Sequence, residues 1–335
     1  MIHSWDDVEV VFRHAFYNEL RVSPEEHPVL VAEPLVIPGK AREKLAEMMF
    51  EVFDVPAYLP SSPAPLALFF AGRSSGVVLD CGSRANAAVA VHEGRPLWDT
   101  YSQSLLGGDA ITRNVVAVTS NSGFSWTSQA TSFVLPEAIK EKTCMVSPTL
   151  LGDTANRNPH LWRELRASRR YFDDAGADSY LSVLPPEIRF ELHKYCLGPG
   201  VPYEFPDGQL VYLQNDTVRI PEPLFAPPKN GAGLTDLVAR ACSAPHDVHK
   251  AIVLVGGTTL FPGFAERLRH ELAAVKPDCK VLPLDDARLA TWIGGSVVAT
   301  LPAFTTSAVL QSEYTEMGPG AVWKKDCAHL CSGLL

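Results

Sequence analysis

The sequence has no long apolar run and no excess of basic residues, and each absence excludes a class of protein. No stretch of 18 consecutive apolar residues occurs among its 335 residues, so it predicts no membrane-spanning helix. The 29 lysines and arginines are outnumbered by 38 aspartates and glutamates, which gives a net charge of −9. An acidic protein has no general electrostatic attraction to nucleic acid or to anionic membranes. We therefore expect neither of them as a direct partner.

The cysteines lack any pattern of a disulfide framework or of a metal site. There are seven, an odd number, and none forms a CxxC pair. The first residues, MIHSWDDVEVVF, also lack the basic-then-apolar order of a secretory signal peptide. These features favour a reducing compartment, the cytosol or the nucleus. Near the end, His329 lies close to Cys327 and Cys331, but these are too few ligands for a closed zinc site, and we predict no metal centre.

What is present is a sequence that can bury a large core, since 46% of its residues are hydrophobic. Apolar segments of strand length alternate with segments of helical periodicity, which predicts an α/β protein. Predicted strands lie within 27–38, 76–91, 207–225 and 251–255. Predicted helices lie within 41–54, 66–72, 104–118, 135–146, 229–242, 262–275 and 291–304.

Two of the predicted strands end in turns of small residues, at 80–84 and 255–259. Such turns can present backbone N–H groups to an anion, or they can be plain tight connections. If both turns face one another, they predict a cleft between two lobes.

Several segments closely resemble actin and the actin-related proteins. They are, in chain order, HPVLVAEP, VVLDCG, KEKTC, PDGQ, VGGTTLFPGF and WIGGS. The resemblance covers nearly the whole sequence except about residues 147–203. It implies the actin-like α/β fold, in which two lobes surround an ATP cleft, as in Hsp70 and the sugar kinases.

The resemblance also implies a division into subdomains. We expect 1–70 and 290–335 to form an incomplete inner lobe like subdomain 1. Residues 71–105 and 231–289 would be like subdomain 3, and 106–230 like subdomain 4 with a divergent insertion at about 147–203. Because SWDDVEVVFRHAFYNEL resembles a helix well inside actin, we expect the N-terminal phosphate hairpin and the small DNase-loop subdomain to be lacking. The alternative is that Met1 is an internal start and that the true product carries this hairpin.

The second phosphate hairpin departs from its family pattern. Actins read DSGDGVTH where residues 80–87 read DCGSRANA. Asp80 keeps the first acid, but Ser83 replaces the second acid that organises Mg²⁺, and Arg84 replaces a glycine. Ala87 occupies the position of the family's histidine, which arranges the water that attacks the phosphate. Pro63 lies at about the position of the family's glutamine, which orients the same water. Phosphoryl transfer depends on positioning and charge neutralisation, so the resemblance implies little or no ATP hydrolysis and no catalytic residue.

Arg84 has three interpretations. Its guanidinium could pair with Asp80 in place of the metal charge, contact a phosphate, or be a solvated arginine.

The nucleoside side of the cleft is better preserved. The resemblance implies ATP or ADP with Mg²⁺ as the ligand, held weakly or not at all. The positions it assigns to nucleotide binding are Asp80, Gly82, Asp109, Lys140, Glu141, Gly256, Gly257, Thr258, Leu260 and Arg288. The alternative for Lys140 and Glu141 is a solvated helix face, and for the glycines it is close packing of strand and helix.

Three functions remain open on these grounds. The first is a degenerate actin-related protein that serves as a structural subunit of a larger cytoskeletal assembly, axonemal or dynein-associated. Its partners would be proteins that cover the incomplete inner lobe, and it would lie in the cytoplasm and cytoskeleton, including a cilium or flagellum. The second is a nucleotide-binding homologue that polymerises or switches with ATP. The third is a nuclear subunit of a chromatin-remodelling complex.

The segment 147–203 offers a further docking surface. Its basic stretch WRELRASRRYF carries four arginines, which would meet an acidic partner or form a solvated helix face.

Overall fold

The structure is a computed structural model. It describes residues 4–34, 36–121, 124, 126, 131–147, 203–206, 208–211, 213, 216–227, 231–244 and 247–325. The basic stretch at 162–172 and the group of Cys327, His329 and Cys331 lie outside the described residues.

The strands form three sheets in the described part of the chain. They are β1 (Val29–Ala32), β2 (Ala57–Ser61), β3 (Gly76–Cys81), β4 (Asn86–His92), β5 (Arg95–Ser104), β6 (Tyr203–Glu204), β7 (Leu210–Val211), β8 (Ala251–Val255), β9 (Lys280–Leu282) and β10 (Val309–Leu310).

The helices account for most of the remaining described chain, and two of them continue as π-helix, over His14–Leu20 and Met48–Val52. They are α1 (Trp5–Arg13), α2 (Gly39–Glu47), α3 (Pro63–Phe70), α4 (Gly108–Asn121), α5 (Thr131–Thr143), α6 (Asp216–Arg219), α7 (Leu234–Ala241), α8 (Phe264–Val275), α9 (Ala290–Ala299), α10 (Ala303–Ser307) and α11 (Gln311–Met317). Short 3₁₀ turns lie at Pro24–Glu26, Glu222–Leu224, Asp247–Lys250, Gly257–Leu260 and Gly318–Trp323.

The largest sheet has the strand order β5-β4-β3-β8-β9. The hairpin β3–β4 is antiparallel, whereas β8 is parallel to both β3 and β9. Every residue of β8 is buried, as expected for a central parallel strand that is covered on both faces. The mixed α/β class and the hairpin predicted at 76–91 are confirmed. The predicted subdomain boundaries stay a prediction.

The second sheet, β1-β2-β10, lies beside this one and joins it through α3. Helix α9 packs along α3 so closely that a Cβ on Gly294 would lie 1.8 Å from the backbone oxygen of Leu66. The α3 helix itself contacts β3, β4, β5 and β8. Helix α9 in turn contacts β1. One pair of helices therefore connects the two sheets, and the site described below lies at the carboxyl ends of β3 and β8, the two central parallel strands of the larger sheet.

Two predicted strands differ from the structure. The segment 27–38 was expected to be a buried strand, but β1 is only four residues long and half-buried. In 207–225 the second strand, expected after a turn at Asn215 and Asp216, is wrong, because Asp216–Arg219 forms the short helix α6; Asn215 lies outside the described residues. Gly208 takes a positive φ of 83° and makes the turn of the β6–β7 hairpin instead. Thr217 and Val218 are buried in the short helix α6, because tertiary packing overrides the β-propensity of branched residues.

A search of the described helices for one that is both long and apolar enough to cross a membrane finds none.

Candidate functional site

The two turns of small residues lie side by side, which is the condition under which the sequence predicts a cleft. Because β3 and β8 are parallel neighbours with Asp80 opposite Val255, both turns leave the sheet at the same edge. The carboxyl ends of parallel strands are the usual place for ligands in α/β sheets. The hydroxyl of Thr258 donates to the backbone oxygen of Gly82 over 3.2 Å, which fixes one turn to the other.

Gly256 begins the second turn with a φ of 91°, in the region that favours glycine. A Cβ at this position would lie 2.4 Å from the backbone oxygen of Cys81 and 3.0 Å from Oδ1 of Asp80. Glycine is therefore required here by the close approach of β3, so the packing interpretation accounts for Gly256 without a ligand.

The loop before α4 closes the first turn from the other side. Gly108 N–H donates to the oxygen of Gly82 over 3.0 Å, and Asp109 N–H donates to the oxygen of Ser83 over 2.7 Å. The Ser83 hydroxyl donates in turn to the carboxylate of Asp109. A Cβ on Gly107 would lie 2.4 Å from the Ser83 oxygen. On the side that faces α4, the turn at 82–85 is therefore held in place by contacts with residues 107–109.

An open cavity of about 750 Å³ lies between these turns and α5. This volume is typical of small-molecule sites. Seven of the ten predicted positions line it, namely Gly82, Lys140, Glu141, Gly257, Thr258, Leu260 and Arg288. Asp80, Asp109 and Gly256 do not line it. Asp109 bonds to Ser83, which does line it, and Asp80 and Gly256 lie against each other where β3 and β8 end.

Lys140 of α5 is buried, so the interpretation of this residue as part of a solvated helix face is wrong. Its ammonium donates to the hydroxyl of Thr112 over 3.0 Å and lies 3.4 Å from the Glu137 carboxylate. Lys140 therefore ties α5 to α4 at the wall of the cavity.

Arg288 and Glu141 form an ion pair of 2.8 Å at the cavity. The guanidinium also covers Gly257, where a Cβ would meet its Nε at 3.2 Å. Both partners are largely exposed, so the pair is a weak one that a ligand can replace.

Asp80 is partly buried behind the cavity and has no ion pair among the described residues. Burial raises the pKa of its carboxyl to about 6. Arg84 is exposed, and no Arg84–Asp80 pair forms, so that interpretation of Arg84 is wrong. The hairpin turn directs the arginine to solvent, away from the end of β3.

The described lining fits a nucleoside-sized group but not the triphosphate with its metal. Two carboxylates, Glu137 and Glu141, balance two cations, Lys140 and Arg288, and each cation already has a carboxylate partner. No surplus positive charge is left there for three phosphates. Behind the lining lies the carboxylate of Asp80, which has no ion-pair partner in the described part of the chain and repels phosphate unless a cation lies between them. The described residues contain no cluster of three or more His, Cys, Asp or Glu side chains placed to hold a metal ion.

Some residues of this site were missed in the sequence. Glu137 stands three positions before Lys140 on a helix, a spacing at which side chains meet, so this contact could have been predicted. The contacts of Thr112 with Lys140 and of Ser83 with Asp109 join residues 26 or more positions apart, and no local sequence pattern predicts them.

A protein-family model described as Actin matches residues 1–327. The mixed α/β arrangement with several sheets fits the actin-like fold that the sequence predicted. The match covers nearly the full length of the sequence, and the chain belongs to the actin family.

Proposed function

We propose that this actin-family protein is a degenerate member that serves as a structural subunit of a larger cytoskeletal assembly and hydrolyses little or no ATP. Actins are ATPases, so the proposal is that residue changes within the family fold have removed most of the ATP hydrolysis in this chain. The observation that carries it is the cavity whose charges are already paired with one another.

The hydrolytic positions support the proposal. Ala87 is the cross-strand partner of Asp80 and is buried in β4, so a methyl group stands where the family has an imidazole. Pro63 begins α3, and its ring has no group that could orient a water by a hydrogen bond. Ser83 bonds to Asp109 in place of the second acid. An enzyme that relies on positioning would lose most of its rate through these changes together.

A sheet edge supports the structural role. In the described part of the chain β1 pairs with β2 on one side and with no strand on the other. Unpaired edges accept further strands, and strand addition is a common way for a partner to bind. We propose that protein subunits of the assembly cover this lobe, without direct contact to nucleic acid or membrane. The assembly would lie in the cytoplasm and cytoskeleton, including a cilium or flagellum.

Purification of the native protein at moderate salt tests the structural role. We expect it to elute in a complex far larger than its own 36.5 kDa, with the same partners in repeated preparations. The proposal would be contradicted if the protein were recovered alone, as a stable monomer. The location of the fluorescently tagged endogenous protein then distinguishes a cytoskeletal assembly from a nuclear one.

A second function, nucleotide-dependent switching or polymerisation, is favoured by the size of the cavity and by the seven predicted positions that line it. Its test is Mg²⁺-dependent ATP turnover that is abolished by Asp80→Ala. The matched control is Asp99→Ala, since Asp99 is an exposed residue of β5. Absence of turnover in the unmodified protein would leave the structural role as the better account.

A further inference from the structure

Two cysteines that are 37 positions apart in the sequence meet in the fold. Cys242 is the residue that follows α7, and its side chain is only 2% exposed. Cys279 stands just before β9 and is partly exposed. Their sulfur atoms lie 3.8 Å apart, in contact with each other. This pair could not be predicted from the sequence, because no short spacing joins the two residues.

The surroundings let these sulfurs come closer. A disulfide needs a separation of about 2.05 Å, so the sulfurs must approach by about 1.8 Å. Cys279 follows a turn at Pro277 and Asp278 and precedes the ladder of β9, so the turn can supply this movement. Both cysteines have a bonded backbone N–H: that of Cys242 donates to the oxygen of Val238 over 2.8 Å at the end of α7, and that of Cys279 donates to the oxygen of Lys276 over 3.2 Å within the turn. The approach therefore needs a shift of the turn and rotation of the two side chains, and not the unwinding of α7.

We propose that Cys242 and Cys279 are a site of reversible oxidation, at which a peroxide converts the two thiols into a disulfide. Cys279 is the more exposed thiol and reacts first. Its sulfur takes one oxygen from the peroxide and becomes a sulfenic acid, while the reduced peroxide leaves as water or an alcohol. The sulfur of Cys242 then attacks the sulfenic sulfur, the S–S bond forms, and the hydroxyl leaves as water with the thiol proton. Two thiols are oxidised, and one peroxide is reduced.

The reaction is slow under resting conditions. Burial raises the pKa of the Cys242 thiol to about 12 and also raises that of Cys279, so little thiolate is present at neutral pH. The pair therefore responds to sustained oxidation and not to brief exposure.

The expected consequence of the disulfide is a more stable fold around part of the candidate site. The disulfide would close a loop that contains β8, the turn with Gly257 and Thr258, and α8. Helix α8 already packs against both α7 and β9, and the new bond would add a covalent tie between α7 and β9. A cross-link of this loop length restricts mainly the unfolded chain, so the oxidised protein should be the more stable form.

The experiment starts with the reduced full-length protein, freed of reductant and treated with hydrogen peroxide. Peptides are then mapped without reduction after alkylation of the remaining thiols. We expect a linked pair of peptides that contain Cys242 and Cys279, two hydrogens lighter than their sum. We also expect the unfolding midpoint to rise by about 5 °C and to return after treatment with dithiothreitol.

Cys279→Ser should lose both the linked peptides and the rise in midpoint. Cys144→Ser is the matched control, since Cys144 is buried and no sulfur contact joins it to another cysteine of the described residues, and this variant should keep both. The proposal is overturned if Cys242 and Cys279 are recovered as separate peptides, as sulfinic acids, or linked to other cysteines. The peptide map of the unmodified protein decides this even if a variant fails to fold.

Discussion

At the scale of single residues, Asp80 is an acid that the fold holds at an energetic cost. Burial raises its pKa to about 6, from an ordinary value near 3.8, and no ion pair in the described structure offsets this. The folded state therefore holds the proton more tightly than the unfolded state does. The cost of ionisation is absent below the ordinary pKa, grows as pH rises, and is complete above about pH 6.

Asp80→Asn should remove this cost. At pH 8 we expect the free energy of unfolding to rise by about 1–3 kcal/mol, since the shift corresponds to about 3 kcal/mol, and at pH 4 we expect little change. The measurement is urea unfolding at both pH values, in buffer with EDTA.

Asp99→Asn, an exposed change on β5, should alter the unfolding energy little at either pH. A loss of stability in Asp80→Asn at pH 8 would mean that the carboxylate is satisfied by a group this account has not recognised.

Arg267 is the opposite case, a charge that is fully buried and fully partnered. Its side chain is 0% exposed and lies 2.8 Å from Glu222, in contact with Glu271, and 5.0 Å from the ring of Phe225. It also donates to the backbone oxygen of Ser147 over 2.9 Å. This arginine therefore joins α8 to two separate segments of the chain.

Arg267→Ala should cost about 3–5 kcal/mol of unfolding energy, because the partly buried carboxylates of Glu222 and Glu271 would lose their cationic partner and the buried space of the arginine would be left empty. Arg269→Ala is the control on the same helix, where the pair with Glu266 is exposed and worth at most about 1 kcal/mol. Chemical denaturation of both variants measures the difference. Equal losses would show that burial of Arg267 is not what makes its contacts strong.

At the scale of elements, the close packing of α9 on α3 depends on one glycine. A Cβ on Gly294 would lie 1.8 Å from the Leu66 oxygen, whereas a Cβ on the adjacent Gly295 would lie 3.4 Å from a methyl group of Leu30. The first distance requires the helices to separate, and the second is an ordinary contact.

Gly294→Ala should therefore destabilise the protein by about 2–3 kcal/mol through overpacking. Gly295→Ala should be neutral or stabilising by up to about 1 kcal/mol, because its Cβ would make an ordinary contact and alanine favours the helix over glycine. Thermal unfolding of the two variants tests this, and a comparable loss in both would contradict the helix contact.

The elements that the sequence predicted well are those whose local pattern and tertiary role agree. The apolar run AIVLV becomes the fully buried β8, and the periodic segment after it becomes α8. The predicted helix within 41–54 is found as α2 and its π-helical continuation. The prediction failed at 207–225, where Thr217 and Val218 have strand propensity but are buried in a helical turn. Their conformation is decided by the core around them, which no local pattern reveals.

At the scale of the whole molecule, the sequence placed the site better than it described its chemistry. The resemblance to actin located the two turns and the α5 wall, and seven of the ten positions line one cavity. It did not show that Arg288 pairs with Glu141, or that Lys140 pairs with Glu137 and bonds to Thr112. These contacts set the charge of the cavity, and two of the three join distant parts of the chain.

The central claim is that this chain keeps the actin-family fold but no longer turns over ATP. The most direct measurement is ATP hydrolysis by the purified native protein with Mg²⁺, compared with its Asp80→Ala and Asp99→Ala variants. We predict the same background rate for all three proteins. Turnover that requires Mg²⁺, persists in Asp99→Ala and disappears in Asp80→Ala would contradict the claim.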